Sequence, residues 1–163
     1  MDGYVFGGVR VDEKDREILS ILQDNADQPA KAIAQAVNLS PSAVERRISK
    51  LKREGVIDRI VAVVSPAAVR RNLRILVEIE IQNEYRHNLE AFQRWLVQAP
   101  EVQSCWYVTG DTDFVLSVTV RDIEEYNAFI ERMMTDQREL VRKYKSLIAL
   151  KTIKHGMALS VDE

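Results

Sequence analysis

Hydrophobic positions recur along this chain at two spacings, and the spacing changes near residue 73. Before that point it is helical. Residues 12–24 set Ile18, Leu19, Ile21 and Leu22 toward a common core, which predicts a helix. Ala32, Ile33, Ala36, Val37 and Leu39 give a second, short apolar helix and a turn, with small alanines that permit close helix approach. Asn38 sits in that turn, and Asn is among the few non-glycine residues that tolerate a left-handed backbone. A third helix is predicted over 41–54. Ser40 is a natural N-cap, Pro41 sits at the first helical position where a missing N–H costs nothing, and Gly55 is a stop signal. At about 100° per residue, Val44, Ile48 and Leu51 share one face. Arg46, Lys50 and Arg53 fall roughly opposite, with Arg47 close to that side. Residues 56–64, VIDRIVAVV, are β-branched and are expected to follow as a strand or wing.

From residue 73 the period shortens to two. In LRILVEIEIQ (73–82), Ile75, Val77, Ile79 and Ile81 lie on one side and Arg74, Glu78, Glu80 and Gln82 mostly on the other, the pattern of a half-buried strand. Residues 86–98 return to helical spacing with Leu89, Phe92 and Leu96, and Pro100 ends the helix. Two β-rich runs, 102–109 and 114–121, flank Gly110-Asp111-Thr112-Asp113 as a hairpin flanks its turn. Asp122 caps another helix whose apolar side carries Ile123, Tyr126, Phe129, Ile130 and Met133, and a last strand is expected over 145–154. The order β-α-β-β-α-β is the ferredoxin-like split βαβ. The fold class is therefore α+β. Residues 1–11 form an N-terminal arm, 12–64 a winged helix-turn-helix, 65–72 a link, and 73–163 a ferredoxin-like domain. Such a sheet carries helices on one face only. With no sequence left to cover the other, a second copy is the economical cover, so a homodimer is expected.

Charge gives the helical part a target. The third helix has five basic residues, Arg46, Arg47, Lys50, Lys52 and Arg53, against Glu45 and Glu54, on a chain of 163 residues with net charge −2. A focused positive patch on a near-neutral body suits a sequence-reading module better than a bulk DNA coat. Two helices with a tight turn, the second one basic, form the layout of a DNA-reading helix-turn-helix. Double-stranded DNA is the expected partner. Ser40, Ser42, Arg46, Arg47 and Lys50 are the candidate contacts, with Arg59 and the arm as candidates for the backbone. Arg and Lys read guanine edges, whereas serines and a helix N-terminus more often hold phosphates.

Other chemistry is thinly represented. A single cysteine, Cys105, excludes an internal disulfide, fits a reducing cytoplasm and is expected as a buried small hydrophobe. MDGYVFGGVR lacks the charged and apolar regions of a signal peptide, and no run approaches the roughly 20 apolar residues of a membrane span. A cytoplasmic location without membrane contact is expected. His87 and His155 lack metal-ligand spacing, and there is no phosphate-cradling glycine loop. Asp111 and Asp113 form the one notable carboxylate pair, with no nucleophile or base identifiable beside them. No catalytic residue, metal or cofactor is expected.

Several short motifs, in order along nearly the whole chain, resemble the Lrp/AsnC family of bacterial and archaeal transcription regulators. Residues 12–19, DEKDREIL, are similar to the family's D-x-x-D-x-x-I-L opening. Residues 33–42 with Val44, Arg47, Ile48 and Leu51 are similar to its turn and recognition helix. Glu54-Gly55-Val56-Ile57 is similar to its E-G-x-I exit, and Gly110-Asp111-Thr112-Asp113 to its G-D-x-D hairpin. The resemblance implies a winged helix-turn-helix joined to a ferredoxin-like effector domain, and dimers assembling to an octamer. It also implies an amino-acid effector bound between dimers near the hairpin. By position, Gly110, Asp111 and Asp113 would shape that site, flanked by Tyr107, Val108 and Thr109. An aspartate pairs with an amino acid's ammonium and backbone N–H groups hold its carboxylate, although both aspartates also suit a plain turn. The chain departs from the pattern at Asn38, where the family's turn has Gly. It departs again at Tyr144, Lys145, Ser146 and Leu147, where many members carry a threonine-rich stretch. An architectural regulator that wraps DNA without a small-molecule effector is the alternative.

Overall fold

The computed structural model describes residues 11–82 and 86–161. All but the last residue of the expected N-terminal arm lies outside them. The chain forms two compact units: one contains the described residues up to Ala62 together with those from Lys154, and the other spans Val63–Ile153. The last segment, which the hydrophobic pattern groups with the sheet domain, thus belongs with the first unit.

The first unit is trihelical, with α1 (Glu13–Asp24), α2 (Ala30–Val37) and α3 (Pro41–Arg53). Ile18, Ile33, Ala34, Val37 and Val44 form its buried core, with Leu39 and Ile48 packed against it. Asp12 opens α1 through a capping box. Its carboxylate accepts from Asp15 N at 2.8 Å, and Asp15 Oδ2 accepts from Asp12 N at 3.3 Å. Asn38 ends α2 in the left-handed region (φ 55°), so Asn stands in for the usual glycine at the tight turn into α3. Past α3, Gly55 (φ 73°) turns the chain so that Val56 and Ile57 N–H both reach the Leu51 carbonyl.

The wing differs from expectation. Residues 58–65 make no strand, and Ile60, Val61, Val63 and Val64 are exposed. β-branched residues favour an extended backbone, but a strand needs a partner for its N–H and C=O groups, and no described segment supplies one. The stretch expected as a link is more ordered than a tether. Residues 66–70 form turns in which Ala68 N donates to Ser65 O and Arg71 N to Pro66 O, while the Arg71 guanidinium reaches Glu125 at 3.1 Å.

The second unit follows the expected order: β1 (Leu73–Ile81), α4 (Arg86–Gln98), β2 (Val102–Tyr107), β3 (Phe114–Val120), α5 (Ile123–Asp136) and β4 (Val141–Ile148). The sheet is antiparallel with strand order β2-β3-β1-β4. One face is sealed by the helices: Ile75, Val77, Ile79, Phe114, Leu116 and Val118 are buried against Phe92, Leu96, Phe129 and Met133. The last strand begins four residues earlier and ends six residues earlier than expected. It pairs with β1 from Ile81↔Val141 to Ile75↔Ile148, and after Ala149 N donates to Arg74 O, β1 offers no further partner.

The left-handed residue between α2 and α3 gives a direct test. Asn38→Val should lower unfolding free energy by about 1–2 kcal/mol, the cost of a side-chain-bearing residue in that conformation, while Asn38→Gly should not destabilise. Urea denaturation of the two variants checks both.

Candidate nucleic-acid interface and effector hairpin

Helix α3 is held by its apolar stripe. Val44 and Leu51 are fully buried and Ile48 is half-buried, which leaves the remaining faces to charge. At its start the Ser40 hydroxyl accepts from Ala43 N at 3.2 Å and lies 3.1 Å from the Ser42 hydroxyl, with both serines exposed. Arg46 is exposed and its guanidinium has no partner among the described residues, and the same holds for Lys52 and Arg53. Lys50 is shared between Glu54 at 3.8 Å and Asp15 at 3.9 Å. Arg59 lies beyond the helix, mostly exposed and 3.9 Å from Asp58.

Arg47 departs from the group in which the sequence placed it. Its Nη1 donates to Asp12 Oδ2 and to Asp15 Oδ1, each at 2.7 Å. The guanidinium therefore sits on the carboxylates of the α1 capping box, and Asp15 is completely buried. The reason is angular: Arg47 lies one residue before Ile48, at the edge of the apolar stripe, so it meets the neighbouring helix instead of solvent. In the sequence, Asp12 and Asp15 stand out only as the two acidic positions of the D-x-x-D opening. The periodicity did contain a hint, since Asp15 falls three residues before the buried Ile18 and so on the core side of α1. Lys52 and Arg53 also complete the exposed basic set at the end of α3, where cations suit the helix dipole.

The hairpin residues gather at one edge of the sheet but split by role. Val108 N donates to Asp113 O at 2.8 Å and closes the turn, with Gly110 at φ 124°, a conformation that side chains rarely adopt. Asp113 is tied to β1 by backbone and side chain alike: its N–H donates to Ile79 O at 2.9 Å and its Oδ2 accepts from Ile81 N at 2.8 Å. The Thr112 hydroxyl donates to the same Ile79 carbonyl at 2.8 Å. Asp111, by contrast, is exposed and makes no side-chain hydrogen bond or ion pair among the described residues. Tyr107 packs at 5.0 Å on Phe114 yet stays 55% exposed, and Thr109 and Gly110 are exposed. Within one chain the six residues thus form an open edge with one uncommitted carboxylate. Cys105, expected in the core, lies exposed on edge strand β2, although local burial pushes its thiol above the ordinary value. Among the described residues there is no cluster of His, Cys, Asp and Glu fit to hold a metal, and no helix long and apolar enough to cross a membrane.

Comparison with known proteins agrees with this division. A family model described as the Lrp/AsnC ligand binding domain matches residues 74–159, and one described as winged helix-turn-helix DNA-binding matches residues 11–58. An HTH-type transcriptional regulator of Haemophilus influenzae is 40% identical over 144 residues, covering 88% of this chain and 85% of its own. An AsnC family transcriptional regulator from Agrobacterium tumefaciens has a similar solved structure, with TM-score 0.86, 34% identity, and coverage of 91% of this chain and 95% of that one. A transcriptional regulator from Neisseria meningitidis, solved as an L-Met complex, gives TM-score 0.86 at 29% identity, covering 92% and 96%. The chain belongs to the Lrp/AsnC family: it is a DNA-binding transcriptional regulator with an α+β fold, and the relatives it matches are named as transcriptional regulators.

Two outcomes follow from the geometry. Asp113→Ala leaves Ile81 N without its acceptor and should cost about 1–3 kcal/mol in denaturant unfolding, whereas Asp111→Ala should stay within about 0.5 kcal/mol of wild type. The second concerns pH. Hydrogen bonds from Arg47, and then from Asp15 N, hold the Asp12 carboxyl below its ordinary 3.8. Folding lowers this pKa, so the stability it supplies is whole above the unfolded value and is lost as pH falls through the folded one. Urea midpoints measured between about pH 5 and pH 3 should fall less steeply for Asp12→Asn than for wild type.

Proposed function

We propose that this chain reads specific DNA sites as a homodimer through the outward face of α3, and that an amino acid bound between dimers at the β2–β3 hairpin modulates that reading. The observation that carries the DNA half is Arg46. It is an exposed guanidinium without a partner among the described residues, on a helix whose opposite face is locked into a core. Arg46 is then the base reader, with Lys50 beside it. Ser40 and Ser42 lie at the helix N-terminus, where phosphate is favoured by the dipole and by unsatisfied N–H groups. Arg59, exposed beyond the helix, suits a backbone contact.

The open face of the sheet supports the dimer. In register, Leu76, Val115, Trp106 and Leu147 share that face, and Leu76, Trp106 and Leu147 are exposed. Around them Lys145 pairs with Glu78 at 3.2 Å, and Lys143 and Arg142 pair with Glu80, so the rim is charge-neutralised. An apolar centre with a polar rim fits burial against a second copy. A two-fold dimer would present two α3 helices to half-sites about one helical turn apart, or a multiple of that.

For the effector, the division of labour at the hairpin favours Asp111 as the group for an ammonium and the tip backbone at Val108, Thr109 and Gly110 for a carboxylate. Asp113 and Thr112 hold the frame, and Tyr107 forms a wall. An edge this open needs a second surface to enclose a ligand, which supports a site completed by a neighbouring dimer in a higher assembly such as an octamer. The L-Met bound to the Neisseria relative supports an amino acid as the ligand class.

Fluorescence anisotropy of the protein against DNA from its own upstream region, at fixed salt with and without a pool of amino acids, tests both halves. Arg46→Ala should weaken specific binding by roughly 1–3 kcal/mol. The pool should shift wild-type affinity, and Asp111→Ala should bind DNA normally while ignoring the pool. Indifference of the wild type to every amino acid would favour the architectural reading, and unchanged binding by Arg46→Ala would remove α3's outward face as the reader.

A further inference from the structure

We propose that Asp15, together with Asp12, is a positioning residue for DNA recognition. It grips Arg47 and so fixes the roll of α3, and Arg47 serves this clamp instead of touching DNA. The inference rests on the reading of α3 as the recognition helix.

The clamp is closed on itself. Asp12 Oδ1 takes Asp15 N at 2.8 Å and Asp15 Oδ2 takes Asp12 N at 3.3 Å. The two remaining oxygens, Asp12 Oδ2 and Asp15 Oδ1, both take Arg47 Nη1 at 2.7 Å. All four carboxylate oxygens are thereby engaged, and the guanidinium ties the first turn of α1 to the middle of α3. Asp15 is wholly buried, so its charge has no water to turn to if Arg47 leaves.

Apolar packing alone does not settle the roll of a helix. The stripe residues Val44 and Ile48 meet smooth side chains from Ile18, Ile33 and Val37, and contacts of that kind are non-directional. A charge-assisted hydrogen bond is short and directional. The distinction matters at the outer surface. A roll of about 20° displaces a group some 6 Å from the helix axis by about 2 Å, enough to break a hydrogen bond to a base edge. Arg46 is the residue next to the gripped one, so its direction follows that of Arg47. Buried ion pairs contribute little to net stability, and fixing register is their best-attested use.

The sign of the charge effect makes the clamp testable. Asp15→Asn and Asp12→Asn each remove a negative charge from the DNA-binding unit, which by electrostatics alone strengthens binding. If the carboxylates position α3, both substitutions act in the opposite direction on the specific site. Anisotropy titrations would compare the upstream fragment bound most tightly by wild type with a shuffled duplex of equal length, across a salt series. Both variants should lose about tenfold or more on the specific duplex, the scale of one lost base contact, and bind the shuffled duplex as well as wild type or better. Arg47→Met should cost specificity in the wild-type background and nothing further in Asp15→Asn, because residues acting as one unit are non-additive.

Equal or tighter specific binding by Asp12→Asn and Asp15→Asn, or an Arg47→Met loss that adds fully to theirs, overturns the clamp. Should Asp15→Asn fail to fold by circular dichroism, Asp12→Asn carries the test, since Asn caps a helix as well as Asp and only the charge facing Arg47 is removed. Arg46→Ala separates this inference from the reading beneath it. If Arg46→Ala weakens specific binding and neither aspartate variant does, the clamp alone is wrong. If Arg46→Ala changes nothing, α3 is not the reader and the clamp's role falls with it.

Discussion

Everything in the DNA-binding unit turns on one constraint: α3 must be a wall of the core and a charged surface at once. Thirteen residues meet it by angular separation. Val44, Ile48 and Leu51 anchor the helix, while Arg46, Lys52 and Arg53 are left in solvent. Residues at the boundary between the two faces decide how firmly the helix is set. Arg47 occupies that boundary and is drawn to Asp12 and Asp15, while Lys50, one turn on, hovers between Asp15 and Glu54. The acidic character of α1, which in composition merely balances the chain's charge, thus acts locally as the counterpart of a basic helix.

A similar partition organises the sheet. Alternation sends Ile75, Val77 and Ile79 beneath the helices, and it sends Leu76 with its charged neighbours to the open side. At the hairpin the split occurs within a four-residue motif. Asp113 and Thr112 bind β1 backbone groups, and Gly110 supplies a backbone conformation, which frees Asp111 from structural duty. A motif that reads as a single ligand signature is therefore mostly scaffold, with one carboxylate, that of Asp111, left without a side-chain bond among the described residues.

The elements that were legible in the sequence have local causes. The capped helices starting after Asp12, Ser40 and Asp122, the stop at Gly55, and the alternating strand from Leu73 appear where side-chain chemistry puts them. What the sequence concealed depends on partners. The stretch after Gly55 looks like a strand, but no described segment of its own chain pairs with it. The last strand begins at Val141 because β1 is already waiting beside it, a fact about register that no local pattern carries. Residues from Lys154 group with the helical unit, where the Gln23 amide holds the Leu159 backbone from both sides, a contact 136 positions apart. At the site, Arg46 and Arg47 are equivalent by type and adjacent by number. Their angles on the helix differ, but only the buried aspartate on another helix shows that Arg47 is gripped.

As proposed, a small, fixed basic face on a near-neutral protein reads base sequence as a two-fold pair. Selection of bound duplexes from a random pool by the intact protein tests it most directly. The expected result is an enriched, two-fold symmetric motif with half-sites roughly 10–10.5 base pairs apart, or a multiple of that. A bound pool with no sequence enrichment at physiological salt would contradict it, because the face would then be holding phosphates alone.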